Sequence, residues 1–421
     1  MARDRIIYQS ENLFTSKIGS TGTAASFKEI NRVQDISYNL EVSRTDVNEF
    51  GQLAAISREV TEPPTVSLDF SYLVTDGTQE GNLGFDINTG ALPNATAVPM
   101  TKSMLDPTAS SSSHGLNADE LNYYIVTTKE GNDLHHGTKV VGHADSGCIA
   151  IGNGFITSYS LSGAVGDFVS ASVSVEGSNI LFKDDLSTAT GFDNPAIDTS
   201  SSTGAQLSNK VIMTGVTSSH GNIQVGGTDI AAIRPGDVTI DFDASGYFSA
   251  KSGATPVGGL NVGGPVLPGA GFGPGTKTPI HLQNFSLDVP VGRTAMTRLG
   301  NHFPFARKID FPVSMSLSVS ALMTDITDGD LSDLICNAEQ KRDIAIKMTD
   351  RCGSNHAITY VMRNAILDTE SFSSSIGDNK TVDLTFSAQV GGANDTDNGI
   401  FAFSEATNRP ASAFDTPTKT P

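Results

Sequence analysis

The chain has 421 residues, more than one ordinary domain holds, so two or three domains with cores of their own are expected. Hydrophobic residues make up 38% of the chain and charged residues 17%, a balance that favours strands and turns over long helices. The formal net charge of −19 argues against a protein that grips nucleic acid through phosphate contacts, and the three cysteines, Cys148, Cys336 and Cys352, show no CxxC pair that would indicate a zinc ribbon.

The N-terminal segment, MARDRIIYQSENLF, contains charges but no apolar core of signal-peptide length. No stretch of the chain approaches the ~18 apolar residues of a membrane span. We therefore expect a soluble protein that is not exported by this route and makes no membrane contact.

Short runs in the first part of the chain alternate between apolar and small polar residues, the period of a half-buried strand. In chain order these predicted strands are ISYNLEVS, TVSLDFSYL, YYIVTT, ITSYSLSG and FVSASVSVE. A long connection, residues 44 to 64, joins the first two. The segment from about 77 to 115 is rich in Gly, Pro, Thr and Ser, which predicts a surface loop inserted after Asp76.

The second part of the chain repeats this plan after residues 181 to 225, a polar segment that predicts a linker or surface excursion. A second long connection spans residues 293 to 313. Leu331, Leu334 and Ile335 share one face of a short predicted helix between Asp330 and Lys341. The predicted strands are FSLDVPVG, VSMSLSVSAL, IAIKMT, AILDTESFS and TVDLTFSAQV.

An internal repeat relates the two parts. A shift of 249 places residues 31 to 76 on residues 280 to 325 without a gap, with 14 of 46 positions identical, and a shift of 211 places 149 to 175 on 360 to 386. The sequence therefore predicts a first copy over residues 1 to 180, a linker over 181 to 225, a second copy over 226 to 405 and a flexible tail over 406 to 421.

The long connection with its Arg, Gly and Pro, followed by ITSYSLSGAVGDFVSASVSVEG, resembles the tail tube (major tail) proteins of tailed bacteriophages. The resemblance covers residues 30 to 180 and 278 to 391. It implies a mainly β fold with two tandem β-sandwich domains, each with a short flanking α-helix. In that family six such domains form a ring, inner strands join into one closed barrel, and the long connection reaches the next ring.

Two domains per chain then imply homotrimeric, pseudo-hexameric rings, as in some long-tailed siphophages. The resemblance further implies a virion protein that assembles in the host bacterial cytoplasm and forms the tube for genome delivery. The implied partners are the tail terminator, the tape measure and baseplate or tail-tip proteins. DNA would pass the lumen without specific binding. Whether the tail is contractile stays open.

The polar faces of the paired strands contain no Lys or Arg and are predicted to line the lumen. The alternative is an ordinary solvent-facing sheet, which antiparallel proteins commonly have. The predicted lumen residues are Ser37, Asn39, Glu41, Ser67, Asp69, Ser71, Ser286, Asp288, Ser316, Ser318 and Ser320.

The long connections are charged instead, the first net negative and the second net positive, and are predicted to set the stacking of rings by charge complementarity. The alternative is two solvated loops. The predicted inter-ring residues are Arg44, Glu49, Arg58, Glu59, Arg293, Arg298, Arg307 and Lys308.

Other motifs do not support a chemical site. His135 and His136 are adjacent without a second paired cluster, and Gly275 to Thr278 lacks the spacing and strand-to-helix context of a phosphate loop. No nucleophile elbow, HExxH motif or interpretable carboxylate pair occurs. We expect no enzyme activity, cofactor or metal. The competing hypothesis is a virion decoration or receptor-binding β protein that recognises carbohydrate, although the chain has no Trp to offer as a platform.

Overall fold

A computed structural model describes a large part of the chain. The described residues are 11–19, 27–89, 97–105, 120–129, 145–199, 204–214, 216, 224–225, 228–229, 232–241, 282–322, 341–349, 356–373 and 381–404. As predicted, the fold is mainly β. No helix within these ranges is long and apolar enough to cross a membrane.

The first copy contains most of the short elements. Its strands and helices are β1 (Glu11–Lys17), β2 (Lys28–Ile30), β3 (Val33–Glu41), β4 (Arg44–Val47), β5 (Ser57–Val60), β6 (Thr65–Leu73), α1 (Thr78–Asn82), β7 (Ile87–Thr89), α2 (Lys102–Leu105), β8 (Leu121–Thr128), β9 (Ser146–Ala164), β10 (Ser170–Gly177) and β11 (Asn179–Lys183).

Four short strands follow β11: β12 (Phe192–Asp193), β13 (Lys210–Val211), β14 (Gln224–Val225) and β15 (Thr228–Asp229). They form two antiparallel pairs, β12 with β13 and β14 with β15. The second copy contains a 3-10 turn at Pro235–Asp237 and the strands β16 (Val238–Asp241), β17 (Leu282–Pro290), β18 (Arg293–Met296), β19 (Ala306–Ile309), β20 (Ser314–Leu322), β21 (Arg342–Thr349), β22 (His356–Ser373), β23 (Thr381–Gln389) and β24 (Gly399–Ser404).

One antiparallel sheet runs through both copies in the order β22-β23-β20-β17-β9-β10-β6-β3. We call it the central sheet, and its two outer strands are β22 and β3. The long strands β9 and β22 leave it at their N-terminal halves, where β8 and β11 flank β9 while β21 and β24 flank β22. Apolar side chains of the central sheet pack on these flanking strands, as Phe70 does on Tyr123 at a ring-centroid distance of 6.3 Å.

Strand positions follow the sequence repeat. β3 and β6 fall on β17 and β20 at the shift of 249, and the bend in β9 falls on the bend in β22 at the shift of 211. Asn153 and Asn364 occupy equivalent places in these bends with φ of 53° and 55°, a left-handed conformation that Asn tolerates better than most residues. Each Asn side chain also bonds to nearby backbone, Asn153 to Ile197 and Asn364 to Asp397.

The segment predicted as a surface loop after Asp76 was assigned wrongly where the structure describes it. Leu83, Phe85 and Met100 are buried in the main core, and β7 pairs in parallel with β24 of the second copy. The Gly and Pro content of the segment predicted a loop, although the segment also contains these apolar core residues. The segment is therefore part of the contact between the copies.

The predicted linker is also packed in its described part. Phe192, Val211 and Met213 are buried beside Phe14 and Tyr124 of the first copy. Among the predicted flanking helices, α1 lies in the first copy, whereas the helix expected between Asp330 and Lys341 falls almost wholly outside the described residues.

Candidate assembly interface

The two copies meet where β17 pairs with β9, and we call this contact the internal seam. Its register runs from Asn284 opposite Ala164 to Pro290 opposite Ser158. The apolar face of the seam is closed, because Leu287 and Leu161 lie directly opposite each other and are both buried. The seam shows how one copy of this fold binds the next.

Side chains from the second long connection reinforce the internal seam. The buried Arg307 of β19 forms an ion pair with Glu176 of β10. Arg293 of β18 lies over the Phe155 ring at 5.0 Å, and its Nε donates to the Ile156 carbonyl oxygen at 3.4 Å. These contacts join the connection of the second copy to the strands of the first within one chain, so Arg293 and Arg307 already have partners here.

A buried cluster of tyrosine hydroxyl groups lies on the apolar side of the internal seam. The Glu80 carboxylate accepts hydrogen bonds from Tyr72 at 2.9 Å, Tyr159 at 3.2 Å and Tyr360 at 3.0 Å. Asp76 helps to begin the helix that presents Glu80, since its Oδ1 accepts from the Thr78 backbone N–H at 3.0 Å. Burial, together with the adjacent carboxylate, raises the pKa of all three tyrosines well above the usual value. Sequence reasoning missed this cluster because its members lie far apart in the chain.

The first free edge of the central sheet is β3, which repeats β17. The alternation of apolar and polar residues predicts that Tyr38, Leu40 and Val42 face a core, yet all three are exposed. Leu40 is 47% exposed, whereas its repeat partner Val289 is 2% exposed. The alternation is the same in both strands, but β17 is covered by β9, whereas β3 pairs only with β6 among the strands that the structure describes.

The second free edge is β22 from residue 366 onward, whose outer side pairs with no strand in the described ranges; it repeats β9 from Phe155 onward, in which residues 158 to 164 receive β17. Phe372 is 59% exposed, whereas its repeat partner Leu161 is fully buried. Ile366 is exposed and its partner Phe155 is buried. Each free edge therefore presents apolar side chains whose equivalents are covered at the internal seam.

Glu370 interrupts the apolar face of this second edge. It repeats Tyr159 and lies opposite Leu384, a core residue, so its carboxyl group points towards the apolar side. Its Oε1 is buried without a hydrogen-bond partner among the described residues, and burial raises its pKa. An inward-pointing charge is one way in which an edge strand avoids indiscriminate pairing.

The residues predicted to line a lumen all lie on one face of the central sheet. Cross-strand registers place Ser37 opposite Asp69 and Ser286 opposite Ser318. One continuous row links the two copies across five strands: Ser71, Ser172, Ser160, Asp288 and Ser316.

This polar face is acidic. The eight strands of the central sheet, with β22 counted from Asn364, contain no Lys or Arg. A shallow groove of about 430 Å³ crosses it, lined in part by Asn39, Asp69, Thr157, Glu176 and Arg293. Besides Glu370, which points towards the apolar side, the carboxylates on these strands are Asp35, Glu41, Asp69, Glu176, Asp288, Asp368 and Asp383.

The long connections form two-stranded hairpins, β4 with β5 and β18 with β19. Arg58 pairs with Asp46 of its own hairpin at 2.7 Å, and Arg298 lies over the Phe305 ring at 5.5 Å. The remaining predicted contact residues, Arg44, Glu49, Glu59 and Lys308, are exposed. Fully exposed apolar residues, Phe50, Leu53 and Leu299, occupy the hairpin tips, a feature that the sequence reasoning did not identify.

The residues considered as metal, thiol or phosphate-loop candidates lie mostly outside the described residues. These are His135, His136, Gly275 to Thr278, Cys336 and Cys352. Within the described ranges no group of three or more His, Cys, Asp or Glu side chains is placed to hold a metal ion. Cys148 is buried, and burial raises the pKa of its thiol to about 12, which disfavours the reactive thiolate.

No family model matches the sequence, and no curated protein matches it either. Among solved structures, the SPP1 tail tube is similar over 42% of this chain and 79% of its own, with 13% identity and a TM-score of 0.25. A protein of the virion of a native gene transfer agent particle is similar over 26% of this chain and 77% of its own, with 10% identity and a TM-score of 0.16. Each of these likenesses covers less than half of this chain.

Proposed function

We propose that this chain is a non-enzymatic structural protein of a phage virion, which assembles head to tail through its two free sheet edges into rings that stack as a tail tube. One observation supports this most directly: β3 and β22 expose the apolar residues whose repeat equivalents are buried at the internal seam. Edges that retain an interface pattern without a partner are expected to find one on another copy.

The internal seam supplies the register for this contact. Moving β17 onto β3 and β9 onto β22 by the two repeat shifts places Tyr38 of one chain opposite Phe372 of the next. The same move places Leu40 opposite Glu370. Cross-strand aromatic pairs contribute roughly 0.2–1 kcal/mol each beyond the backbone hydrogen bonds. Assembly would also remove both open edges, since a closed barrel has none.

Ring size follows from the resemblance described above. In tail tube proteins six such domains form a ring. A chain that contains two repeats would therefore form a ring of three chains. The polar face of the central sheet would line the lumen, where its carboxylates and its lack of Lys and Arg would let DNA slide without adhering. The tail terminator, tape measure and tail-tip proteins would bind such a tube at its ends or within it, in a siphophage-type tail.

Cysteine cross-linking tests the proposed register. A chain with Tyr38→Cys and Phe372→Cys should form covalent multimers up to three chains on mild oxidation, because directly opposite Cβ atoms lie about 4.5–5.5 Å apart. Each single variant provides the matched control and should give no ladder beyond the background of the native cysteines. A purified chain that stays monomeric at high concentration, with no rings or tubes by negative-stain microscopy, would contradict the proposal.

A further inference from the structure

The internal seam and the contact between chains differ in their charged groups. At the internal seam, Arg307 pairs with Glu176. The repeat equivalents are Arg58 and Ser387, so the arginine has a counterpart between chains but the carboxylate does not. Arg58 is instead held within its own hairpin by Asp46, a position occupied by Ala295 in the second copy.

A different carboxylate stands at the free edge. Asp368 is the bulged residue of β22, between Leu367 and Thr369 in the pairing with β23. It repeats Thr157, the bulged residue of β9. Asp368 is exposed and forms no ion pair or hydrogen bond with other residues that the structure describes.

The surroundings of Thr157 show what Asp368 would meet. Thr157 lines the same groove as Arg293, and its carbonyl oxygen accepts from the Val291 backbone N–H at 2.9 Å. Arg293 in turn bonds to the carbonyl oxygen of Ile156, the residue before Thr157. The repeat equivalent of Arg293 is Arg44, which is exposed in β4.

We propose that Asp368 of one chain forms an ion pair with Arg44 of the next. This pair would distinguish the contact between chains from the internal seam, because the internal seam has Thr157 in place of Asp368. The inference rests on the head-to-tail assembly proposed above. In the same register Glu41 of the neighbouring chain lies opposite Thr369, so Arg44 would neutralise two carboxylates that otherwise repel each other. The partner that fits this edge is a second copy of the same chain.

Charge reversal tests the pair. Asp368→Lys and Arg44→Glu should each raise the concentration needed for assembly at least about tenfold, because each sets like charges against each other at the contact. The double variant, with both reversals in one chain, should recover most of that loss. Assembly is measured by analytical ultracentrifugation and native mass spectrometry at low and high salt.

Asp184→Lys is the matched control, since its side chain is 96% exposed and lies outside the central sheet. All variants should keep the wild-type thermal midpoint as dilute monomers, because both reversed residues are exposed. Single reversals that assemble like the wild type, or a double variant no better than the singles, would overturn the ion pair while leaving the proposed function intact. A wild-type chain that never assembles would overturn both.

Discussion

The hydroxyl oxygens of Tyr159 and Tyr360 lie 3.0 Å apart, although the two residues belong to different copies of the repeat. Both side chains are buried, and both donate to Glu80. The two copies are thus joined by a desolvated polar cluster as well as by strand pairing and apolar contact. Removing one member leaves the others in a low-dielectric site with fewer partners.

Tyr360→Phe should lower the free energy of unfolding by about 1–2 kcal/mol, because the buried hydroxyl that donates to Glu80 and contacts the Tyr159 hydroxyl is lost. Chemical denaturation of the monomer measures the change. Tyr38→Phe is the control, since Tyr38 is exposed, and it should change stability little. A loss of stability in Tyr360→Phe as small as that in Tyr38→Phe would show that the hydroxyl cluster does not stabilise the contact between the copies.

The same cluster predicts loss of stability at high pH. The folded state holds the pKa of Tyr72, Tyr159 and Tyr360 above the unfolded value of about 10. The folded state therefore binds more protons than the unfolded state above pH 10, and stability falls as pH rises. The thermal midpoint should drop more steeply with pH in the wild type than in Tyr360→Phe. Parallel slopes would contradict the assignment.

The ion pair at the internal seam should matter more than the one on the exposed hairpin. Glu176→Gln leaves the buried guanidinium of Arg307 without its counter-charge, at a cost of about 2 kcal/mol. Asp46→Asn removes the exposed partner of Arg58 and should cost less than about 0.5 kcal/mol. Denaturant titration of both variants compares them, and a larger cost for Asp46→Asn would refute the seam contact.

Glu370 should oppose assembly at neutral pH. Its carboxyl group faces the apolar side of β22, and a neighbouring Leu40 would desolvate it further. Assembly would therefore take up a proton, so it should strengthen as the pH falls from neutrality towards the raised pKa of Glu370. Glu370→Gln should assemble at lower concentration than the wild type at pH 7 and lose this pH dependence, as sedimentation can show. Weaker assembly of Glu370→Gln at pH 7 would contradict this role.

Lysines on the polar face should make a tube retain DNA. Ser316→Lys with Ser71→Lys adds cations to the row that joins the two copies. If this row lines the lumen, assembled tubes should hold DNA in a salt-sensitive manner, and virions should eject their genomes less completely. Asp184→Lys serves as the control for added charge outside this face. Virions whose genome ejection is unaffected by the two lysines would favour the solvent-facing interpretation of this sheet.

Much of the architecture could be predicted from the repeat, because β3 and β17, and likewise β6 and β20, have the same bounds at a shift of 249. Alternation also placed Tyr38 and Leu40 on the correct face. The alternation could not reveal that both residues are exposed, since burial depends on whether a neighbouring strand covers them and not on the alternation itself. Long-range clusters such as Glu80 with Tyr360 leave no local pattern at all.

Mixing two charge-reversed chains tests the ring size. Asp368→Lys and Arg44→Glu chains repel their own kind but complement each other at every contact, so an equimolar mixture must alternate along the assembly. An even ring can alternate without a mismatch, whereas a ring of three always retains one repulsive contact. We expect native mass spectrometry of the mixture to show pairs of chains and few closed rings, while the double variant forms rings of three. Abundant closed rings of an even number in the mixture would show that the ring is not a trimer.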